Sequence, residues 1–116
     1  MLKKLFGFGG KPALVKGTAK LQDGHAKKVD VGDVIAGTGK SVVFCRVDGE
    51  LHAVDNLCPH EGGRITDGPL LEGKYVHCPL HMYKFDPKTG ASIGDLCPKV
   101  KTYKVKETDG DAEVWL

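Results

Sequence analysis

Two cysteine–histidine pairs stand out in the middle of the chain. The first pair is Cys58 and His60, in Cys-Pro-His, and the second is Cys78 and His81, in Cys-Pro-Leu-His. Two thiolates and two imidazoles suit either a structural zinc ion or an iron–sulfur cluster that has its cysteines on one iron and its histidines on the other. The spacing alone leaves both possibilities open. Zinc would brace the fold, whereas a cluster would be a redox centre.

The residues between and around these four favour rigid loops. A proline follows each cysteine, which stiffens the backbone and removes one N–H donor. Gly62 and Gly63 follow the first pair, and they let the chain turn sharply and approach a bulky group. Each pair is therefore predicted to lie on a loop that its flanking elements hold in place.

Those flanking elements read as β-strands. Segments rich in β-branched and aromatic residues alternate with turn signals such as Asp48-Gly49, and no segment has a sustained helical period. The prediction is an all-β antiparallel sandwich or small barrel in which two loops carry the ligands. The predicted strands cover residues 27–31, 41–47, 51–54, 75–77, 83–85, 102–106 and 113–116, with further turns at 86–90 and 108–111.

Length and charge limit the function further. The 116 residues fit one domain, and a formal charge of +2 is too small to indicate nucleic-acid binding. No run is long and apolar enough for a transmembrane segment, and residues 1–10 are too short for a signal peptide. We expect a cytoplasmic protein with a leader at 1–26, either an edge strand or flexible, and one domain at 27–116.

The loop motifs resemble those of the Rieske [2Fe–2S] family. Here they read C-P-H-x-G from Cys58 and C-P-L-H-x3-F-D-x3-G from Cys78. The resemblance implies a Rieske-like antiparallel β-sandwich with two cluster-binding loops at one end. It also implies that Cys58 and Cys78 bind one iron of the cluster, and that His60 and His81 bind the other iron near the surface.

Two departures point to a low-potential member of that family. High-potential relatives resemble C-T-H-L-G-C and C-P-C-H-G-S-x-Y and join the loops by a disulfide, but the corresponding residues here are Gly63 and Leu80. Tyr83 and Phe85 stand where those relatives have serine and tyrosine. In both respects the chain resembles oxygenase-associated Rieske ferredoxins and the small subunit of nitrite reductase.

The resemblance implies an electron carrier, not an enzyme. Its partners would be a flavin-type reductase and a terminal oxygenase or reductase. One alternative is a small accessory subunit of a nitrite reductase-like enzyme, and another is a zinc-binding interaction module. A red-brown colour would exclude zinc, and co-purification of a large partner would favour the accessory subunit.

The remaining cysteines and histidines have plainer interpretations. Cys45 lies in an apolar strand and is expected to pack as a small hydrophobe, while Cys97 lies in a proline-containing loop near the predicted cluster. Both are predicted to be unpaired thiols. His77 precedes Cys78 on a strand and should point to the opposite face, and His25 and His52 are expected to be ordinary surface or strand residues.

Overall fold

The structure is a computed structural model of the chain, and it describes residues 12–31, 40–58, 63–79, 82–94 and 97–116. Within these residues the backbone forms nine β-strands and one 3-10 turn, Thr18–Lys20. The strands are β1 (Ala13–Val15), β2 (His25–Val31), β3 (Lys40–Val47), β4 (Glu50–Asp55), β5 (Gly68–Pro69), β6 (Val76–Cys78), β7 (Tyr83–Phe85), β8 (Thr102–Thr108) and β9 (Asp111–Trp115).

The strands form one large sheet and one small one. The large sheet has the order β1-β9-β8-β4-β3-β2-β5, the small sheet is the β6–β7 hairpin, and every pairing is antiparallel. The predicted all-β antiparallel fold is thus confirmed. The part of the chain that the structure describes contains no helix with the length and apolarity needed to cross a membrane.

The central strand β3 is buried on both faces. Val42 and Phe44 point into one core together with Tyr103 of β8, and Val43 and Cys45 point into the other. This explains why β3 is almost continuously apolar, whereas a strand with one solvent-exposed face would have alternating apolar and polar residues. We call the core that contains Cys45 the loop-side core, because it also contains both cysteines of the predicted ligand set.

Two tight hairpins confirm the predicted turns. β3 and β4 are joined by Asp48-Gly49, and both turn residues have positive φ, 52° and 82°. Asp109-Gly110 joins β8 and β9 in the same way, with φ values of 54° and 85°. Such turns suit Asp-Gly because aspartate tolerates and glycine freely adopts the left-handed conformation. The turns therefore fix the register of strands that end near the loops.

The described part of the predicted leader, residues 12–26, contributes β1 and the start of β2 to the sheet. β1 pairs with β9, and β2 already begins at His25. Arg46 on β3 ties the intervening chain down by donating to the carbonyl oxygens of Leu21 (2.7 Å) and Thr18 (2.9 Å) and to the Glu107 carboxylate (2.7 Å). The hydrogen bond from Arg46 lowers the pKa of Glu107. Residues 1–11 lie outside the described part.

Candidate iron–sulfur centre

The two predicted cysteine ligands lie together in the loop-side core. Cys58 follows β4, Cys78 ends β6, and each is only 1% exposed. Neither forms a disulfide, and both belong to the same buried core. The two predicted histidine ligands, His60 and His81, lie outside the described residues.

The first loop, residues 59–62, is closed at its base by a short antiparallel stem. The N–H of Cys58 donates to the carbonyl of Gly63 (2.8 Å), and Leu57 forms a β-bridge with Arg64. Next along the stem, the N–H of Ile65 donates to the carbonyl of Asn56 (2.7 Å). The stem fixes the start of the loop, so the Cys58 side chain is held where β4 leaves the sheet.

The second loop is the connection of the β6–β7 hairpin. Cys78 pairs with Tyr83, so Cys78 stands at the base of residues 79–82. The N–H of Thr66, just past the first stem, donates to the carbonyl of His77 (3.1 Å). This bond joins the two ligand-bearing segments directly, and it holds Cys58 and Cys78 in a fixed relation.

A third segment, residues 97–100, borders the loop-side core. Cys97 is half-buried and packs against the loop-side core, which contains Cys58 and Cys78. The N–H of Val100 donates to the carbonyl of Gly90 (2.9 Å), in the predicted turn after β7. A Cβ atom on Gly90 would lie 2.2 Å from the Val100 oxygen, so the close approach requires glycine.

Other residues singled out from the sequence have structural roles. Cys45 is fully buried, as predicted, and burial raises the pKa of its thiol to about 12, with a smaller contribution from Asp86. His77 is half-buried, and burial lowers the pKa of its imidazole. His52 and His25 lie on β4 and β2. Phe85 is fully buried in the loop-side core, and Tyr83 packs against that core.

Several contacts of this site have no local signature in the sequence. Asn56 is conspicuous only by its position before Cys58, and Thr66 has no signal that would connect it with His77. The bonds join residues on opposite sides of loops, Asn56 to Ile65 and Thr66 to His77, so the partners meet only when these loops fold. Gly90, by contrast, belongs to the F-D-x3-G pattern that follows the second pair.

The described residues fit the cysteine half of a mixed Cys/His centre. Two buried cysteines that form no disulfide and lie in one core are suitable soft ligands, and apolar side chains surround them. Among the described residues, no group of three or more Cys, His, Asp or Glu side chains could hold a metal ion by itself. The remaining donors of the predicted set are the two histidines outside those residues.

An antiparallel β-fold with a Cys-x-His loop and a Cys-x2-His loop at one core defines a protein of the Rieske type. The family model described as the Rieske [2Fe–2S] domain matches residues 11–104. The chain therefore belongs to the Rieske family, which carries a [2Fe–2S] cluster.

Known relatives and solved structures agree with this assignment. The chain is 42% identical over 82 residues to the ferredoxin component of the naphthalene 1,2-dioxygenase system of Pseudomonas aeruginosa. The matched residues cover 68% of this chain and 78% of the relative. The solved ferredoxin of carbazole 1,9a-dioxygenase from Nocardioides aromaticivorans superimposes with a TM-score of 0.74, at 28% identity over 90% of this chain and 97% of that one. A putative NADH-dependent nitrite reductase small subunit from Mycobacterium tuberculosis has a TM-score of 0.63, at 25% identity over 87% and 90%.

The contact at Gly90 predicts a selective effect of an added methyl group. Gly90→Ala should displace residues 97–100, because the new Cβ would meet the Val100 oxygen at 2.2 Å. Gly49→Ala is the matched control, since Gly49 has the same φ of 82° but no atom within 4 Å of the added Cβ. Gly49→Ala should cost about 1 kcal/mol of unfolding free energy, and Gly90→Ala distinctly more.

The measurement is chemical denaturation of both variants, together with the rate at which the visible absorbance bleaches in air. Faster bleaching is expected only for Gly90→Ala. Equal stability losses and equal bleaching rates in the two variants would show that the close contact at Gly90 does not position the third segment.

Proposed function

We propose that this chain is a low-potential Rieske ferredoxin of the cytoplasm, which takes one electron from a flavin-type reductase and passes it to a terminal oxygenase. The observation that carries the proposal is the burial of Cys58 and Cys78 in one core, with neither cysteine in a disulfide, within a chain of the Rieske family. A bound [2Fe–2S] cluster supplies the one-electron redox chemistry. A reducing compartment suits the thiols of Cys45 and Cys97.

In this proposal the cluster is held by four residues with distinct surroundings. Cys58 and Cys78 bind the inner iron from the loop-side core, where burial excludes water. His60 and His81 bind the outer iron, as the resemblance to the Rieske family implies. The protein thus carries electrons and does not itself transform a substrate.

The ligand assignment predicts a clear split among the cysteines. Cys58→Ala and Cys78→Ala should each abolish iron binding and the visible spectrum, and both should lower stability, because bound metal contributes to folding. Cys45→Ala is the matched control, since Cys45 is equally buried in the same core. Iron, zinc and acid-labile sulfide per chain, measured beside the absorbance spectrum, check the prediction.

The same measurements extend to the histidines. His60→Ala and His81→Ala should lose the Rieske spectrum, whereas His77→Ala should keep it. A colourless His77→Ala protein beside a fully coloured His81→Ala protein would contradict the assignment. Stoichiometric zinc without sulfide in the wild-type protein would contradict the redox function itself.

The low potential rests on the absence of a hydroxyl at Phe85. This ring is 0% exposed and lies in the same core as both cysteines, and phenylalanine cannot donate a hydrogen bond. A hydroxyl donor to a cluster sulfur stabilises the reduced form, because the acceptor gains negative charge on reduction. A midpoint near the low end of the Rieske range, about −150 mV, is therefore expected.

Restoring one hydroxyl tests this explanation. Phe85→Tyr should raise the midpoint by roughly 40–90 mV, the equivalent of about 1–2 kcal/mol for one electron. Phe44→Tyr is the control, because Phe44 is 2% exposed but lies in the other core. Protein-film voltammetry gives all three midpoints, and a wild-type value well above zero would rule out the low-potential function.

Apolar side chains flank the ligand positions on the surface. The described residues include three large exposed hydrophobic side chains, and two of them, Leu57 (48% exposed) and Met82 (55%), directly adjoin Cys58 and His81. Met82 also has a φ of 56°, an unfavourable conformation for a long side chain. Such a cost at an exposed position favours a functional role, which we assign to docking of the oxygenase.

Docking by this pair predicts a site-specific loss of electron transfer. Leu57→Glu and Met82→Glu should each weaken the productive complex about tenfold, as expected for loss of an apolar anchor. Leu14→Glu is the control, because Leu14 is 60% exposed but lies on β1, outside the ligand-bearing segments. Stopped-flow reduction of the oxygenase component of a naphthalene 1,2-dioxygenase system, at varied concentration of reduced ferredoxin, measures the effect.

All three variants should keep the wild-type spectrum. A wild-type protein that never reduces this oxygenase would argue against the proposed function. A Leu14→Glu protein that is as impaired as the other two would argue against the assigned docking surface.

A nitrite reductase accessory role is the second candidate, and the structural likeness to the nitrite reductase small subunit is the observation that favours it. Such a subunit would remain bound to a much larger enzyme. Affinity purification from the native host distinguishes the two roles, because a free carrier is expected to elute alone.

A further inference from the structure

Asn56 is a buried polar residue at the junction between the sheet and the first loop. It is only 7% exposed. Its main-chain N–H donates to the carbonyl of Ser41 on β3 (3.2 Å), and its main-chain carbonyl accepts from the N–H of Ile65 (2.7 Å). Its side-chain Nδ2 donates to the carbonyl of Ile65 (3.0 Å). One residue thereby ties together β3 and both arms of the loop.

The carboxamide replaces a donor that the backbone cannot supply. In an antiparallel pair, two facing residues exchange both of their N–H···O bonds. The N–H of Asn56 is already used by Ser41, so the carbonyl of Ile65 would lack a partner without the Asn56 side chain. Ile65 is 1% exposed, and a buried carbonyl that loses its donor carries a desolvation penalty.

The hydrogen bonds of Asn56 are connected, through neighbouring residues, to both cysteines. Cys58 is two residues further along the first arm, and its own N–H is bonded to Gly63 in the same stem. On the second arm, Ile65 is followed by Thr66, which donates to the carbonyl of His77, the residue before Cys78. A change in the spacing between Asn56 and Ile65 therefore moves the two cysteines relative to each other.

We propose that Asn56 is a positioning residue for the [2Fe–2S] centre: its main-chain N–H holds the first loop to β3, and its carboxamide sets the separation of Cys58 and Cys78 by holding Ile65 and, through Thr66, the segment that contains Cys78. The inference rests on the proposed ligand assignment of these cysteines. By this inference, the side-chain N–H donor of Asn56 is required for the geometry of the metal site as well as for the stability of the fold.

The test replaces the donor and keeps the shape. Asn56→Asp is nearly isosteric but loses the N–H donor to Ile65 when ionised. Asn56→Ser is a milder variant with a shorter side chain, and it keeps the proposal testable if the first variant does not fold. Thr18→Val is the matched control, because Thr18 is also 7% exposed and donates a side-chain hydrogen bond, to Glu107 at 2.8 Å, away from the loops.

The readouts separate positioning from general stability. All three variants should unfold at lower temperature than the wild type. Both Asn56 variants should also shift the electron paramagnetic resonance g values and the midpoint potential, and should lose iron to a chelator about tenfold faster or more, as found for residues that orient metal ligands. Thr18→Val should leave the g values, the potential and the rate of iron loss unchanged.

Two outcomes would overturn the proposal. In the first, the Asn56 variants are destabilised but retain the wild-type g values, potential and rate of iron loss, so Asn56 is purely structural. In the second, Thr18→Val changes those properties as much as the Asn56 variants do. Failure of the proposed function is distinguishable from both outcomes, because the wild-type protein itself would then lack iron and sulfide.

Discussion

The burial of β3 on both faces is the constraint on which the rest of the structure depends. A strand in this position must be apolar along nearly its whole length, and it must have a packed layer on each side. On one side, β8, β9 and β1 supply that layer around Phe44 and Tyr103. On the other side, the β6–β7 hairpin and the ligand-bearing segments supply it around Val43 and Cys45. The two predicted cysteine ligands are consequently part of the hydrophobic core.

This arrangement explains how two separate loops are held for one cofactor. Each cysteine lies at the base of its loop, where strand pairing or stem hydrogen bonds fix the backbone. The loops are then connected by the bond from Thr66 to His77, and the third segment is held by the contact between Gly90 and Val100. Backbone hydrogen bonds on both sides of Cys58 and Cys78 form a rigid frame around the two cysteines. Little reorganisation on electron transfer is the expected benefit for a one-electron carrier.

The features that could be predicted from the sequence are those that depend on neighbouring residues. Short-range signals mark the Asp48-Gly49 turn, the apolar strand that follows residue 40 and the two Cys/His pairs. The all-β fold predicted from such signals is confirmed. Strand β5 was not predicted, because two residues at Gly68–Pro69 carry no alternation to detect. Strand β1 was only an alternative within the leader, since the partner that makes it a strand, β9, lies at the other end of the chain.

The candidate site shows the same division between local and distant signals. The four predicted ligands follow from the motifs, and their role as ligands stays a prediction for all four; His60 and His81 also lie outside the described residues. The contribution of Asn56 could not be predicted from its own neighbourhood. Its donor is needed only because Ser41 occupies its main-chain N–H, and this competition arises when β3, β4 and the loop stem come together.

The pairing of β1 with β9 has a consequence for how the fold is used in longer proteins. Ala13 faces Val114 across this pair, so the two ends of the described domain emerge side by side at one sheet edge. A unit whose ends are adjacent can be spliced into a host chain at a single surface loop, and its own strand order need not change. The same adjacency would let a short linker join the ends while new termini open at Asp48-Gly49. The pairing of β1 with β9 therefore makes this domain suitable for insertion into another chain or for circular permutation.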